Sequence, residues 1–195
     1  MTMRELWDHE AVVDERYATL AWGGDGTPEQ VQPTIDAIIT NLNEFVTAGT
    51  MEWGCGPGRI LHRLARLHPD LPFFGVDVSE AMLSLGRADR PANVQVDVLP
   101  TPLPDWPKFV YSVEVLQHLT VDEKRDALAG MFACLSPGGR CVVQYVAGED
   151  TDLPLNHPIP EAEMKAIAKG VGFTINTKPK LHRVHDEWRW LVMTK

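Results

Sequence analysis

The 195-residue sequence predicts a doubly wound α/β fold, a mostly parallel seven-stranded sheet with helices on both faces and antiparallel pairing at its C-terminal end. Three observations support this. Apolar strand-like runs alternate with stretches of helical spacing along the chain. One run, from Thr50, passes through three glycines straight into a helix. Acidic residues stand near the ends of the first three runs, at Glu52, Asp77 and Asp97. In a parallel sheet these would share the carboxyl edge, where such folds take their ligands.

The elements follow in order. Residues 1–22 carry Leu6, Trp7, Val12, Val13, Tyr17, Leu20 and Trp22 among charges, which predicts one or two amphipathic helices. Thr27-Pro28-Glu29-Gln30 reads as a helix start, with Pro at the first helical position. Val31, Ile35, Ile38, Ile39 and Leu42 then keep helical spacing. Thr50–Leu67 reads as strand, glycine turn and helix, ended by Pro69. Residues 72–78 and 93–98 predict the second and third strands, with a helix capped by Ser79 between them. Phe109–Val115 predicts the fourth strand, and Thr120 with Glu123 a capping box opening a helix to about Leu135. Arg140–Val146 is the fifth strand. Ala147–Ile159 reads as a polar loop and Pro160–Lys169 as a helix. The tail predicts two strands, about Thr174–Leu181 and Glu187–Thr194.

Composition bounds the function. Hydrophobic content of 44% and charged content of 23% are ordinary for a globular chain. A net charge of −9 argues against an extended nucleic-acid surface. No apolar run is long enough to span a membrane, and the start lacks the apolar core of a signal peptide. Cys55, Cys134 and Cys141 have neither disulfide-framework nor zinc spacing, so a cytoplasmic setting and no metal are expected.

The glycine stretch carries the chemistry. Gly54, Gly56 and Gly58 allow positive φ and close ligand approach, and the following helix turns free N–H groups into the turn. Asp77 stands about 20 positions on, the spacing of an acid that grips ribose hydroxyls. The dinucleotide fingerprint fits poorly, because Arg59 occupies its third glycine position, and no phosphate-loop G-K-[S/T] is present.

The ordered set E-W-G-C-G-P-G (Glu52–Gly58), G-V-D-V-S-E-A-M-L (Gly75–Leu83), V-D-V-L (Val96–Leu99), Y-S-V-E-V-L-Q-H-L (Tyr111–Leu119) and L-S-P-G-G (Leu135–Gly139) resembles the class I S-adenosylmethionine-dependent methyltransferases. The resemblance covers about residues 50–146. It implies a Rossmann-like methyltransferase fold in one domain, with residues 1–45 as an N-terminal helical cap and 46–195 as the cofactor-binding core. It implies S-adenosylmethionine as cofactor and S-adenosylhomocysteine as product. By position, Glu52, Gly54, Cys55 and Gly56 would meet the methionine part, Asp77 the ribose, and Val78, Met82, Asp97 and Val98 the adenine. Val113 would line the methyl-transfer end. His118 and Glu114 are the candidate bases; Tyr17, Trp22, Tyr145 and His157 are the candidate acceptor contacts. His118 reads equally as a structural histidine.

The sulfonium methyl is already activated, so alignment alone can supply on the order of 7–11 kcal/mol. A base adds about 10²–10⁴-fold only where the acceptor must lose a proton early. No D-P-P-Y-type tetrapeptide follows the fourth strand and no Pro-Cys pair is present, which disfavours base methylation and points to a small-molecule acceptor. A non-catalytic S-adenosylmethionine-binding subunit and a protein or RNA methyltransferase are the alternatives.

Overall fold

A computed structural model describes residues 2–13, 28–149, 156–177, 181 and 186–195. The chain divides into two compact units, Met1–Glu44 with Gly49–Pro102, and Phe45–Ala48 with Leu103–Lys195. The first holds α1 (Met3–Val13), α2 (Pro28–Asn43), β1 (Thr50–Trp53), α3 (Arg59–Leu67), β2 (Phe73–Asp77), α4 (Glu80–Leu85) and β3 (Val94–Val98). The second holds β4 (Phe109–Ser112), a 3-10 turn (Leu116–His118), α5 (Val121–Cys134), β5 (Arg140–Val146), α6 (Glu161–Val171), β6 (Thr174–Asn176) and β7 (Trp188–Thr194). The seven strands form one sheet in the order β3-β2-β1-β4-β5-β7-β6. Strand pairs β1–β2, β2–β3 and β4–β5 are parallel, and β7 runs antiparallel to both β5 and β6.

In the first unit every residue of β2 is buried, as expected for a parallel strand covered on both faces. Helix α3 turns Ile60, Leu61, Leu64 and Ala65 inward at helical spacing. Its C-terminal end is held from a distance. The Asn93 amide donates to the carbonyls of Ala65 (3.1 Å), His68 (3.2 Å) and Leu71 (2.9 Å), satisfying groups that a helix end leaves orphaned.

In the second unit the fourth strand is shorter than its apolar pattern predicts. It ends at Ser112, because Glu114 takes φ 59° in the left-handed region and the chain winds into the 3-10 turn. Past the strand's end Val113 stays buried, and Leu116 is buried in the turn that follows. The closing strands β6 and β7 form at the two expected places, and residues 178–180 of the first expectation lie outside the described residues. The Thr120–Glu123 capping box forms as read.

Helix α5 carries a fully buried Lys124. Its ammonium donates to the carbonyl of Leu119 and to that of His157 at 2.8 Å, so one cation ties the end of the 3-10 turn to the 156–159 segment. Lys124→Met keeps the stem and removes the donors. It is expected to cost about 2–3 kcal/mol, the scale for losing bonds to a charged group and orphaning buried carbonyls, read from urea midpoints at unchanged m-value.

Candidate active site

In the first unit, the glycine turn is built by the three residues the sequence marks. Gly54, Gly56 and Gly58 have φ of 75°, 49° and 82°, values that L side chains disfavour. The N–H groups of Gly54 and Cys55 both donate to Val76 O, at 2.8 and 3.0 Å, which pins the turn to the end of β2. The Asp77 carboxylate completes the clasp: Oδ2 accepts from Gly56 N at 2.8 Å and Oδ1 from Ser79 N at 2.9 Å. Burial pushes the Asp77 carboxyl above its usual range, and these backbone N–H groups oppose that shift. Gly58 caps α3 without a side-chain acceptor, leaving the helix start open toward the turn. The space where a side chain would project from Gly56 is empty for 4 Å.

The other cofactor candidates of this unit sit in register with that clasp. Glu52, buried at 3% exposure, pairs with Gly75; Asp97 pairs with Val76 and Val98 with Asp77. Val78, Asp97 and Val98 are half-buried, whereas Met82 is buried beside Ala11, with Trp7, Ala81 and Leu85 packed around the pair. Ser79 joins α1 to this edge: its Oγ donates to Asp8 Oδ1 at 2.5 Å and accepts from Met82 N at 3.1 Å. The Cys55 thiol is buried, and desolvation with the nearby Asp77 and Glu52 charges holds its pKa well above the ordinary range, so it stays protonated and inert.

In the second unit, Val113 is buried and Glu114 and His118 are half-buried on the stretch after β4. His157 is brought to that stretch: its N–H donates to Gln117 O at 2.6 Å, one residue before His118. Tyr145 lies elsewhere in the unit. It is 2% exposed and lines a cavity of about 820 Å³ with Glu161 and Lys165 of α6 and with Arg189 and Leu191 of β7. Burial and the Glu161 carboxylate push its hydroxyl to about 12. Tyr17 and Trp22 fall outside the described residues. Among the described residues no group of His, Cys, Asp or Glu side chains could hold a metal ion.

Two residues that sequence reasoning passed over shape the glycine turn. A Cβ on Gly86 would lie 2.0 Å from the Pro57 carbonyl oxygen, a backbone atom that could not yield without moving the turn. Its φ of −84° is ordinary, so the close approach, not the dihedral, requires glycine. The only signal in the sequence was a glycine after a short helix, which reads as a cap. His62, at 3% exposure, packs its ring where a Cβ on Gly58 would stand, 2.4 Å from Nε2.

Gly86→Ala should therefore weaken S-adenosylhomocysteine binding tenfold or more in calorimetric titration, while circular dichroism stays native. Burial lowers the His62 pKa from 6.5 to about 4. Between these values the unfolded chain binds the proton and the folded chain does not. The stability His62 contributes is therefore complete above pH 6.5 and lost as pH falls toward 4. Urea midpoints measured across that window should fall more steeply for the wild type than for His62→Met.

Residues 51–141 match the family described as a methyltransferase domain. An uncharacterized methyltransferase of Bacillus subtilis (strain 168), YdaC, is 26% identical over 143 residues, which cover 67% of this chain and 77% of that protein. Trans-aconitate 2-methyltransferase of Acidovorax ebreus (strain TPSY) is 30% identical over 125 residues, covering 60% of this chain and 45% of that one. Among solved structures, magnesium protoporphyrin IX methyltransferase (ChlM) from Synechocystis PCC 6803 with bound SAH superposes with a TM-score of 0.72 at 16% identity, covering 98% of this chain and 97% of that one. Residues 51–141 thus match a methyltransferase domain, and the sheet order and glycine turn are similar to those of class I S-adenosylmethionine-dependent methyltransferases.

Proposed function

We propose that the enzyme transfers the methyl group to a small-molecule acceptor at the carboxyl edge of its sheet, by in-line displacement. The observation that carries this reading is Glu114. A non-glycine residue held at φ 59° costs on the order of 1–2 kcal/mol, and such residues gather where function requires them. Here the strain ends β4 at its carboxyl end and starts the turn that holds His118. The acidic charge balance and a relative named trans-aconitate 2-methyltransferase favour a small molecule over nucleic acid.

The first unit's residues fit the cofactor. The space before Gly56 is open, and a buried carboxylate stands beside it. Glu52, Gly54, Cys55 and Gly56 would hold the methionine part, Asp77 the ribose, and Val78, Met82, Asp97 and Val98 the adenine. Bound there, the cofactor supplies a methyl group already activated by its sulfonium. What remains for the chain is to orient the acceptor and to take its proton. Val113 would line the transfer end, Glu114 or His118 would accept the proton, and Tyr17, Trp22 and His157 would contact the acceptor; Tyr145, on the α6 side of β5, would reach it only from that side. We assign the whole chain to one catalytic domain, with residues 1–45 as its cap, and place the reaction in the cytoplasm, where the three free cysteines would stay reduced. No helix among the described residues is long and apolar enough to cross a membrane.

One paired experiment tests the assignment. Asp77→Ala should weaken S-adenosylhomocysteine by about 1–3 kcal/mol, the scale for hydrogen bonds to a charged group. Glu114→Gly, which keeps the backbone conformation available, should bind S-adenosylhomocysteine as the wild type does and lose about 10²-fold or more of product release over an acceptor panel. Unaltered turnover in Glu114→Gly would sink the role assigned to that residue.

A further inference from the structure

Gln144 of β5 is 2% exposed, and among the described residues neither its amide nitrogen nor its amide oxygen has a hydrogen-bond partner. Buried amides are almost always bonded, because an unmet donor or acceptor loses its water and gains nothing in return. An orphaned side chain in the middle of a sheet therefore requires an explanation, and its place in the unit supplies one.

The register fixes that place. Tyr111 pairs with Val142 and Ser112 with Val143, so Gln144 stands level with Val113, the first residue past the end of β4. On its other side Gln144 pairs with Trp190. Successive side chains of a strand face opposite sides. Cys141 and Tyr145 face the helices, with Cys141 Sγ 3.8 Å from Met131 Sδ of α5 and Tyr145 beside Glu161 of α6. Gln144 shares the opposite face with Arg140 and Val142. Arg140 lies over Phe45, Phe45 stacks on Phe109, and Phe109 stacks on Tyr111. That face thus runs from an aromatic stack at the amino end of the strands to an unpaired amide beside Trp190 at the carboxyl end, where such sheets take ligands.

We propose that Gln144 is the acceptor-reading residue, its amide pairing with an uncharged group that offers a donor and an acceptor side by side. A carboxamide does so, and so does a hydroxyl next to a carbonyl. A carboxylate matches poorly, since it would satisfy the amide nitrogen and set a second negative oxygen against the amide oxygen. The inference rests on the small-molecule reading above and narrows its acceptor class.

The test uses the full chain and two near-isosteric variants, Gln144→Met and Gln144→Leu. Removing an orphaned amide should leave the thermal midpoint unchanged or raised in at least one variant, with S-adenosylhomocysteine affinity at the wild-type value. A lowered midpoint in both shows that the amide is bonded within the fold and overturns the proposal. Release of S-adenosylhomocysteine is then followed with salicylamide, salicylate and phenol, and with lactamide, lactate and ethanol. The wild type should prefer a carboxamide over its matched acid and plain hydroxyl by tenfold or more in kcat/KM. Gln144→Met should abolish that preference mainly through KM. Equal carboxamide turnover in wild type and variant overturns the assignment and leaves the methyltransferase reading standing. Silence of the wild type across the panel, with S-adenosylhomocysteine bound, overturns the small-molecule reading and this assignment together.

Discussion

The carboxylate of Asp77 is the constraint on which the ligand edge of the first unit depends. It is an ionisable group at 8% exposure, in a place where charge is costly, and it is kept there by backbone donors from both sides of the turn. One oxygen holds Gly56 and the other holds Ser79, while the residue's own carbonyl accepts from Leu99 N at 2.7 Å. The glycine turn and the start of α4 are thereby referred to one side chain, and the end of β3 to the main chain of the same residue. The rest of the turn follows. Three positive-φ glycines let the chain fold tightly enough for Gly56 to reach the carboxylate, and Gly86 lets α4 end against Pro57.

The second unit solves a related problem with a cation. The stretch after β4 leaves the sheet through a strained Glu114, and such a turn persists only when its surroundings over-determine it. Two backbone ties do that. His157 N–H bonds to Gln117, and the Lys124 ammonium collects the carbonyls of Leu119 and His157. A buried ammonium is tolerable there because these carbonyl dipoles help to replace its lost water. Both histidines named as candidates are therefore carried on backbone fixed by the same group.

Burial also sorts the reactive side chains. Cys55 and Cys141 are held above the ordinary thiol range by desolvation, and Cys134 is raised to about 11, so none is poised as a nucleophile. His62, lowered to about 4, is a neutral packing ring under Gly58. The candidate groups that stay half-buried are Asp97 in the first unit, and Glu114, His118 and His157 in the second. That distribution suits an enzyme whose reagent arrives already activated and whose protein contributes orientation more than nucleophilic power.

The sequence by itself determined the parts that depend on local patterns. Period and turn chemistry are written in neighbouring residues, so the strand–glycine–helix unit at Thr50–Leu67, the Ser79 cap, the Thr120–Glu123 box and the succession of parallel strands were legible from residue type and spacing. The pairing of Asp77 with the glycine turn was half legible: its spacing marked it as a ligand residue, but not as the clasp that holds Gly56. Only the tertiary structure decided the end of β4, because Val113 is buried just as well past the end of the strand as it would be within it. It alone showed why Gly86 has no side chain, what Lys124 binds, and that Gln144 is left without a partner. Each of these depends on which distant backbone or side chain arrives within a few ångströms. Hydrophobic periodicity carries no record of that approach, because it reports only which face of an element is covered and not what covers it.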